Sequence, residues 1–139
     1  MAKVRVITDS MVAFEEPGFA EDHDIRIIPL QLHLGNQLLL DTIDISSEDL
    51  FSQLQRSSHS FRVIPPPVSS FEEVYKDLSK STDQICVITH SQQFTQTYAH
   101  AQAARSGLLG RCEIVVIDSQ STSLGQGYLV EIISKAALA

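Results

Sequence analysis

Basic residues are scarce. Ten Lys and Arg stand against seventeen Asp and Glu, a formal net charge of -7. No basic stripe exists, which argues against a nucleic-acid partner, because phosphate binding needs clustered cations that release counterions. Long apolar runs are also missing, and none approaches the ~20 residues that a membrane-spanning helix requires. The first residues, Met1-Ala-Lys-Val, pass straight into a strand-like pattern without the three regions of a signal peptide. A cytoplasmic location is therefore expected. Cysteine is limited to Cys86 and Cys112, which sit in or beside apolar runs without metal-ligand spacing and are expected as reduced core residues. The five histidines, His23, His33, His59, His90 and His100, show no paired spacing, so neither a metal nor another cofactor is expected.

What is present is the composition of one domain. The 139 residues are 43% hydrophobic, and a chain of this size can bury roughly two thirds of the surface it exposes when unfolded. Three short β-branched runs, Val4 to Thr8, Gln84 to Thr89 and Glu113 to Ile117, are apolar on both alternations. Such runs suit central strands covered on both faces. Helical patterns lie between them, so an α/β fold with a mostly parallel sheet flanked by helices is expected.

Three helices have start signals, and a fourth is expected at the C-terminus. Ser46 or Ser47 caps one through about Arg56, with Leu50, Phe51 and Leu54 on its apolar side. Ser69 opens a capping box with Glu72, followed by the stripe Phe71, Val74, Tyr75 and Leu78. A third helix starts near Phe94 or Thr95, runs to about Ser106 and ends at Gly107; a fourth starts near Ser123 or Leu124 and fills the C-terminus. Between Ile25 and Leu40, Pro29 interrupts the chain and Gly35-Asn36 divides two Leu-rich stretches, which reads as a β-hairpin inserted after the second strand. Phe61 to Val68 contains Pro65-Pro66-Pro67 and must be extended, joining two helices. There is no internal repeat.

The chemistry concentrates at three similar strand ends: I-T-D-S at Ile7 to Ser10, I-T-H-S at Ile88 to Ser91, and I-D-S-Q-S at Ile117 to Ser121. Parallel strands would bring these to one carboxyl edge, the usual ligand edge of an open α/β sheet. Hydroxyls from Ser10, Ser91 and Ser119 there, beside helix N-termini, suit an anionic oxygen such as a carboxylate or phosphate. Ser and Thr also cap helices and close turns without any ligand, and Asp9 and Asp118 commonly bond only neighbouring amides. Ser91, His90 and Asp118 superficially offer a hydrolase triad. Neighbours at a strand end tend to point apart, however, and no G-x-S-x-G elbow is present. Gly125-Gln126-Gly127 is a lone G-x-G with no P-loop lysine after it.

Five segments in order, I-T-D-S, I-P-L at Ile28 to Leu30, the Pro-rich stretch followed by Phe71 and Tyr75, T-H-S-Q-Q-F-T-Q-T-Y at Thr89 to Tyr98, and V-I-D-S-Q-S-T-S-L-G-Q-G at Val116 to Gly127, resemble the DegV family over nearly the whole chain. The resemblance implies a non-enzymatic α/β domain that binds a long-chain fatty acid and presents its carboxylate to a partner fatty acid kinase. It also implies that residues 1–139 are a single domain corresponding to the family's N-terminal one, with the C-terminal domain absent. The family's T-S-Q-P-S falls on Val63 to Pro67, so its liganding Thr is replaced by Val63. Its S-S-x-L-S-G-T-Y falls on Ser91 to Tyr98, so its liganding Ser is Thr95 and its Gly is Gln96. The expected lipid site is thus Thr95 and Ser91, with Val63, Ser10 and Ser119 around them. The alternative expectation is an interaction or regulatory domain that has lost its lipid and forms a homodimer through an exposed apolar patch.

Overall fold

The computed structural model describes residues 3–56, 58 and 60–138. Its main sheet is built from β1 (Arg5–Asp9), β2 (Arg26–Ile28), β6 (Gln84–Thr89) and β7 (Glu113–Asp118), in the order β2-β1-β6-β7 and parallel throughout. The alternation of side chains along each strand divides the core in two. Ile7, Ile85, Val87, Ile114 and Val116 pack with Phe71, Tyr75 and Leu78 of α3 (Val68–Leu78) and Ala101 of α4 (Thr97–Ala103). On the opposite face, Val6, Cys86 and Ile88 pack with Phe19 of α1 (Phe19–Asp22) and Val130 of α5 (Ser123–Leu138). The Tyr75 hydroxyl donates to the Ala101 carbonyl at 3.0 Å, tying α3 to α4. Cys86 and Cys112 are both free thiols, partly and fully buried respectively.

The α/β architecture with a parallel sheet is therefore observed, but β7 is not a covered central strand. It lies at the sheet edge, with Val115 and Ile117 47% and 37% exposed. Apolar residues on both alternations suit two buried faces, but α5 covers only the middle of the sheet, β1 and β6.

A second, antiparallel sheet holds β3 (Gln31–Leu34), β4 (Gln37–Leu40) and β5 (Phe61–Ile64), in the order β4-β3-β5. The hairpin after the second strand is present, turning at Gly35 with φ 59°, a left-handed backbone that glycine adopts without strain. The segment expected as a connector is instead a third strand. Phe61–Ile64 pairs with β3 before the prolines remove the amides a longer ladder would need.

Helix starts differ in one instructive way. Ser46 caps α2 (Ser47–Arg56): its Oγ accepts from the Asp49 amide at 3.1 Å and donates to the Asp49 carboxylate at 2.8 Å. Ser69 does not cap α3. The helix begins two residues earlier, at Val68, with Pro67 at its cap and no side-chain cap bond, because proline's fixed φ already sets the turn. The third helix starts at Thr97 and tightens into a 3-10 turn over Ala104–Leu108, so Gly107 lies inside that turn rather than ending the helix. Among the described residues no helix is long and apolar enough to cross a membrane. No group of three His, Cys, Asp or Glu among them could hold a metal ion, and His59 lies outside the described residues.

Candidate functional site at the carboxyl edge of the sheet

The parallel strands bring their three polar ends to one edge, where most of the hydroxyls serve the frame. Thr8 Oγ1 donates to the Ile88 carbonyl at 2.8 Å. Ser10 Oγ donates to Asp41 Oδ2 at 2.7 Å and accepts from the Leu30 amide at 2.9 Å, fastening the entrance of β3 to the end of β1. Ser119 Oγ donates to the Ser121 carbonyl at 3.2 Å and accepts the Ser121 amide at 3.1 Å, which closes the turn before α5. Ser91 Oγ accepts the Gln93 amide at 3.3 Å and has no acceptor for its own proton among the described residues. Ser91 therefore keeps a hydroxyl proton free for a ligand.

Ser10 and Val63 line one groove of about 360 Å³, bounded by the small sheet, α2 and the start of α5. Its walls are mostly apolar: Leu32, Leu50, Phe51, Phe61 and Val63, with Asp41, Ser47 and Thr122 at its polar margins. The helix α2 has no buried residue, and Phe51 is 65% exposed, so its apolar side faces this groove rather than a core. Ser91 lines a separate depression of about 380 Å³ with Gln92, Gln93, Asp118 and Gln120. The two are joined by the chain itself, because the Ser91 amide donates to the Ser121 carbonyl at 2.8 Å, one residue before Thr122. A larger hollow of about 550 Å³ lies at the end of α3 beside Lys76, Lys80 and Arg111, and none of the expected site residues lines it.

Thr95 lies in the turn before α4. Its Oγ1 is 2.8 Å from His90 Nε2, 2.7 Å from Thr97 Oγ1, and accepts the Thr97 amide at 3.2 Å. His90 is fully buried and its Nδ1 is 3.0 Å from Asp9 Oδ2. The superficial set Ser91, His90 and Asp118 is not assembled. His90 turns to Asp9 and Thr95, while Asp118 accepts from the Gln92 amide and side chain at 3.2 and 2.8 Å.

A family model described as "Uncharacterised protein, DegV family" matches residues 3–139. The chain belongs to the DegV family. A DegV domain-containing protein of Streptococcus pneumoniae is 33% identical over 141 residues, covering 100% of this chain and 48% of the relative. The chain thus spans about half the length of most curated DegV relatives it matches. A DegV domain-containing 15.5 kDa protein of Staphylococcus aureus differs in this respect: it is 31% identical over 99% of this chain and 96% of its own length. Among solved structures, DegV of Bacillus subtilis, described as a fatty acid binding protein, superposes with a TM-score of 0.87 at 24% identity over 100% of this chain and 50% of its own. The Streptococcus pneumoniae fatty acid kinase (Fak) B3 protein, loaded with linoleic acid, gives 0.77 at 17% identity over 96% and 47%. At these identities the superpositions establish the DegV fold.

Two residues of this DegV-family chain gain importance only in three dimensions. Gln126 is fully buried, and its Nε2 donates to Thr8 Oγ1 at 2.9 Å and Asp9 Oδ1 at 3.2 Å. The flanking glycines explain how it gets there. A Cβ on Gly127 would collide with the Ala13 carbonyl oxygen, and one on Gly125 with Ser121 Oγ. The G-x-G is a close-packing device that brings α5 onto the strand ends. His90 is the other; its type was visible in the sequence, but not the direction of its ring.

Proposed function

We propose that this chain binds a long-chain fatty acid, or a similar lipid, without transforming it. The observation that carries this reading is the groove of about 360 Å³ whose apolar wall includes the unburied side of α2. Its volume is at the small end of the range for ligand sites. Each buried CH₂ of an acyl chain contributes about 0.8 kcal/mol, so the tail supplies most of the affinity. The head group lies toward the strand ends, where Ser91 offers a free proton, while Thr95, Ser10 and Ser119 shape the edge. Val63 extends the apolar wall. The description of the Bacillus subtilis neighbour as a fatty acid binding protein supports this reading.

Residues 1–139 act in this reading as one ligand-binding α/β unit corresponding to the N-terminal half of the longer relatives. Delivery of the bound acid to a fatty acid kinase is the partner role it fits, in keeping with the Fak B3 neighbour. The test is native mass spectrometry of the freshly purified chain without added lipid. An adduct of fatty-acid mass supports the reading, and a bare chain that also fails to take up added oleate overturns it.

A second reading, self-association without lipid, has its own observation. Leu124, Tyr128 and Ile132 form an exposed stripe along α5, and Val115 and Ile117 are exposed on the edge strand β7. Sedimentation at micromolar concentration distinguishes it: a dimer dissociated by Tyr128→Glu supports this reading, and a monomer excludes it.

A further inference from the structure

His90 holds a proton inventory that bears on what Thr95 can do. Its Nδ1 lies 3.0 Å from Asp9 Oδ2, outside hydrogen-bond geometry, and has no other partner among the described residues. Asp9 accepts from the His90 amide at 2.7 Å, the Met11 amide at 3.0 Å and Gln126 Nε2 at 3.2 Å, a donor set that suits an ionised carboxylate. A bare Nδ1 would set its lone pair against that charge. The neutral ring therefore carries its proton on Nδ1, and Nε2 is left as an acceptor.

Thr95 has one hydroxyl proton and two lone pairs. The proton goes to His90 Nε2 at 2.8 Å, and the lone pairs take the Thr97 hydroxyl at 2.7 Å and the Thr97 amide at 3.2 Å. Nothing is left over for a ligand. We infer that His90 sets the head-group preference of this site. With this tautomer Thr95 offers a carboxylate no hydrogen bond, and loss of the Nε2 acceptor frees the Thr95 proton for a ligand. This rests on the lipid reading above, and it makes His90 a positioning residue that acts through Thr95.

Among the described residues, the charged group facing His90 is Asp9 of β1. Thr95 and Phe94 approach it from the turn before α4 and are neutral. The α5 side contributes neutral Gln126, which reaches Asp9, and Asp118 of β7 is engaged with Gln92.

The test is calorimetric titration of oleate into the wild-type chain, His90→Leu, Thr95→Val and the double variant at one mildly alkaline pH. His90→Leu is expected to tighten oleate binding roughly tenfold, because the Thr95 proton is freed to a charged acceptor. Thr95→Val alone should change little, and in the double variant the gain should vanish. Imidazole nitrogen-15 spectra of the unliganded wild-type chain at the same pH give a readout that needs no variant to fold, and should show an Nδ1-protonated His90. An Nε2-protonated ring, or equal affinities in wild type and His90→Leu, overturns this inference while leaving lipid binding standing. Failure of every variant to bind oleate overturns the lipid reading and this inference with it.

Discussion

Val63 and Leu32 stand directly opposite each other across β5 and β3, and both line the groove at the carboxyl edge. The pair places apolar methyls where the family resemblance implies a hydroxyl. Val63→Thr keeps the shape of the side chain and adds one donor. The expected outcome is tighter binding of a long-chain carboxylate by about 1 kcal/mol or more, in the range of a hydrogen bond to a charged group. Val63 is 37% exposed, so unfolding stability should move by less than about 0.5 kcal/mol. Parallel titrations with a fatty acid and the matching fatty alcohol check this, since only the acid should gain.

Phe51 separates binding from folding. It belongs to a helix with no buried residue and is 65% exposed, yet it lines the groove. Phe51→Ser should leave the urea midpoint nearly unchanged and weaken fatty-acid binding roughly tenfold, because apolar contact with the acyl chain is lost. A large fall in stability with unchanged affinity would show that α2 is part of the frame instead.

Tyr75 ties pH to stability at the alkaline end. Burial pushes its hydroxyl well above the usual tyrosine range, with Arg105 offsetting part of the rise. A group whose folded-state pKa is raised contributes stability that is present below its unfolded pKa, about 10, and is lost as pH rises beyond that. The chain should therefore lose stability above about pH 10, and Tyr75→Phe should flatten that decline. At neutral pH the same variant should cost about 1 kcal/mol, the bond to the Ala101 carbonyl. Thermal unfolding of both proteins across the alkaline range is the measurement.

Gly127→Ala should destabilise by about 1–3 kcal/mol, the usual range for overpacking, because the new methyl meets backbone rather than a movable side chain. Gly107→Ala, where nothing lies within 4 Å of the added carbon, is the control and should be near neutral. Chemical denaturation of the two variants side by side tests whether α5 owes its position to that glycine.

The parts of this fold that could be read from the sequence are those in which local chemistry and tertiary structure agree. The β-branched runs became β1, β6 and β7, Gly35 turned the hairpin, and Ser46 capped its helix. The misreadings come from tertiary override. Periodicity said nothing about whether β7 had a neighbour on both sides, and the prolines after Ile64 masked the strand before them. At the carboxyl edge, residue types were legible but their partners were not. Ser10 and Ser119 are committed to the frame, Ser91 keeps a proton, and Thr95 meets a histidine five residues back. No spacing rule predicts which way a buried ring turns.

The segment from Pro29 to Pro67 leaves the main sheet at the end of β2 and returns at the first turn of α3, and it carries β3, β4, α2 and β5 together. Most of the groove's apolar wall belongs to this excursion, whereas the two-faced core belongs to the rest. Tethering a detour of about 40 residues costs only about 3 kcal/mol in chain entropy and barely changes with its length. The excursion thus carries the ligand wall apart from the two-faced core. Exchange of this stretch between homologous chains should transplant ligand preference while the core keeps its packing.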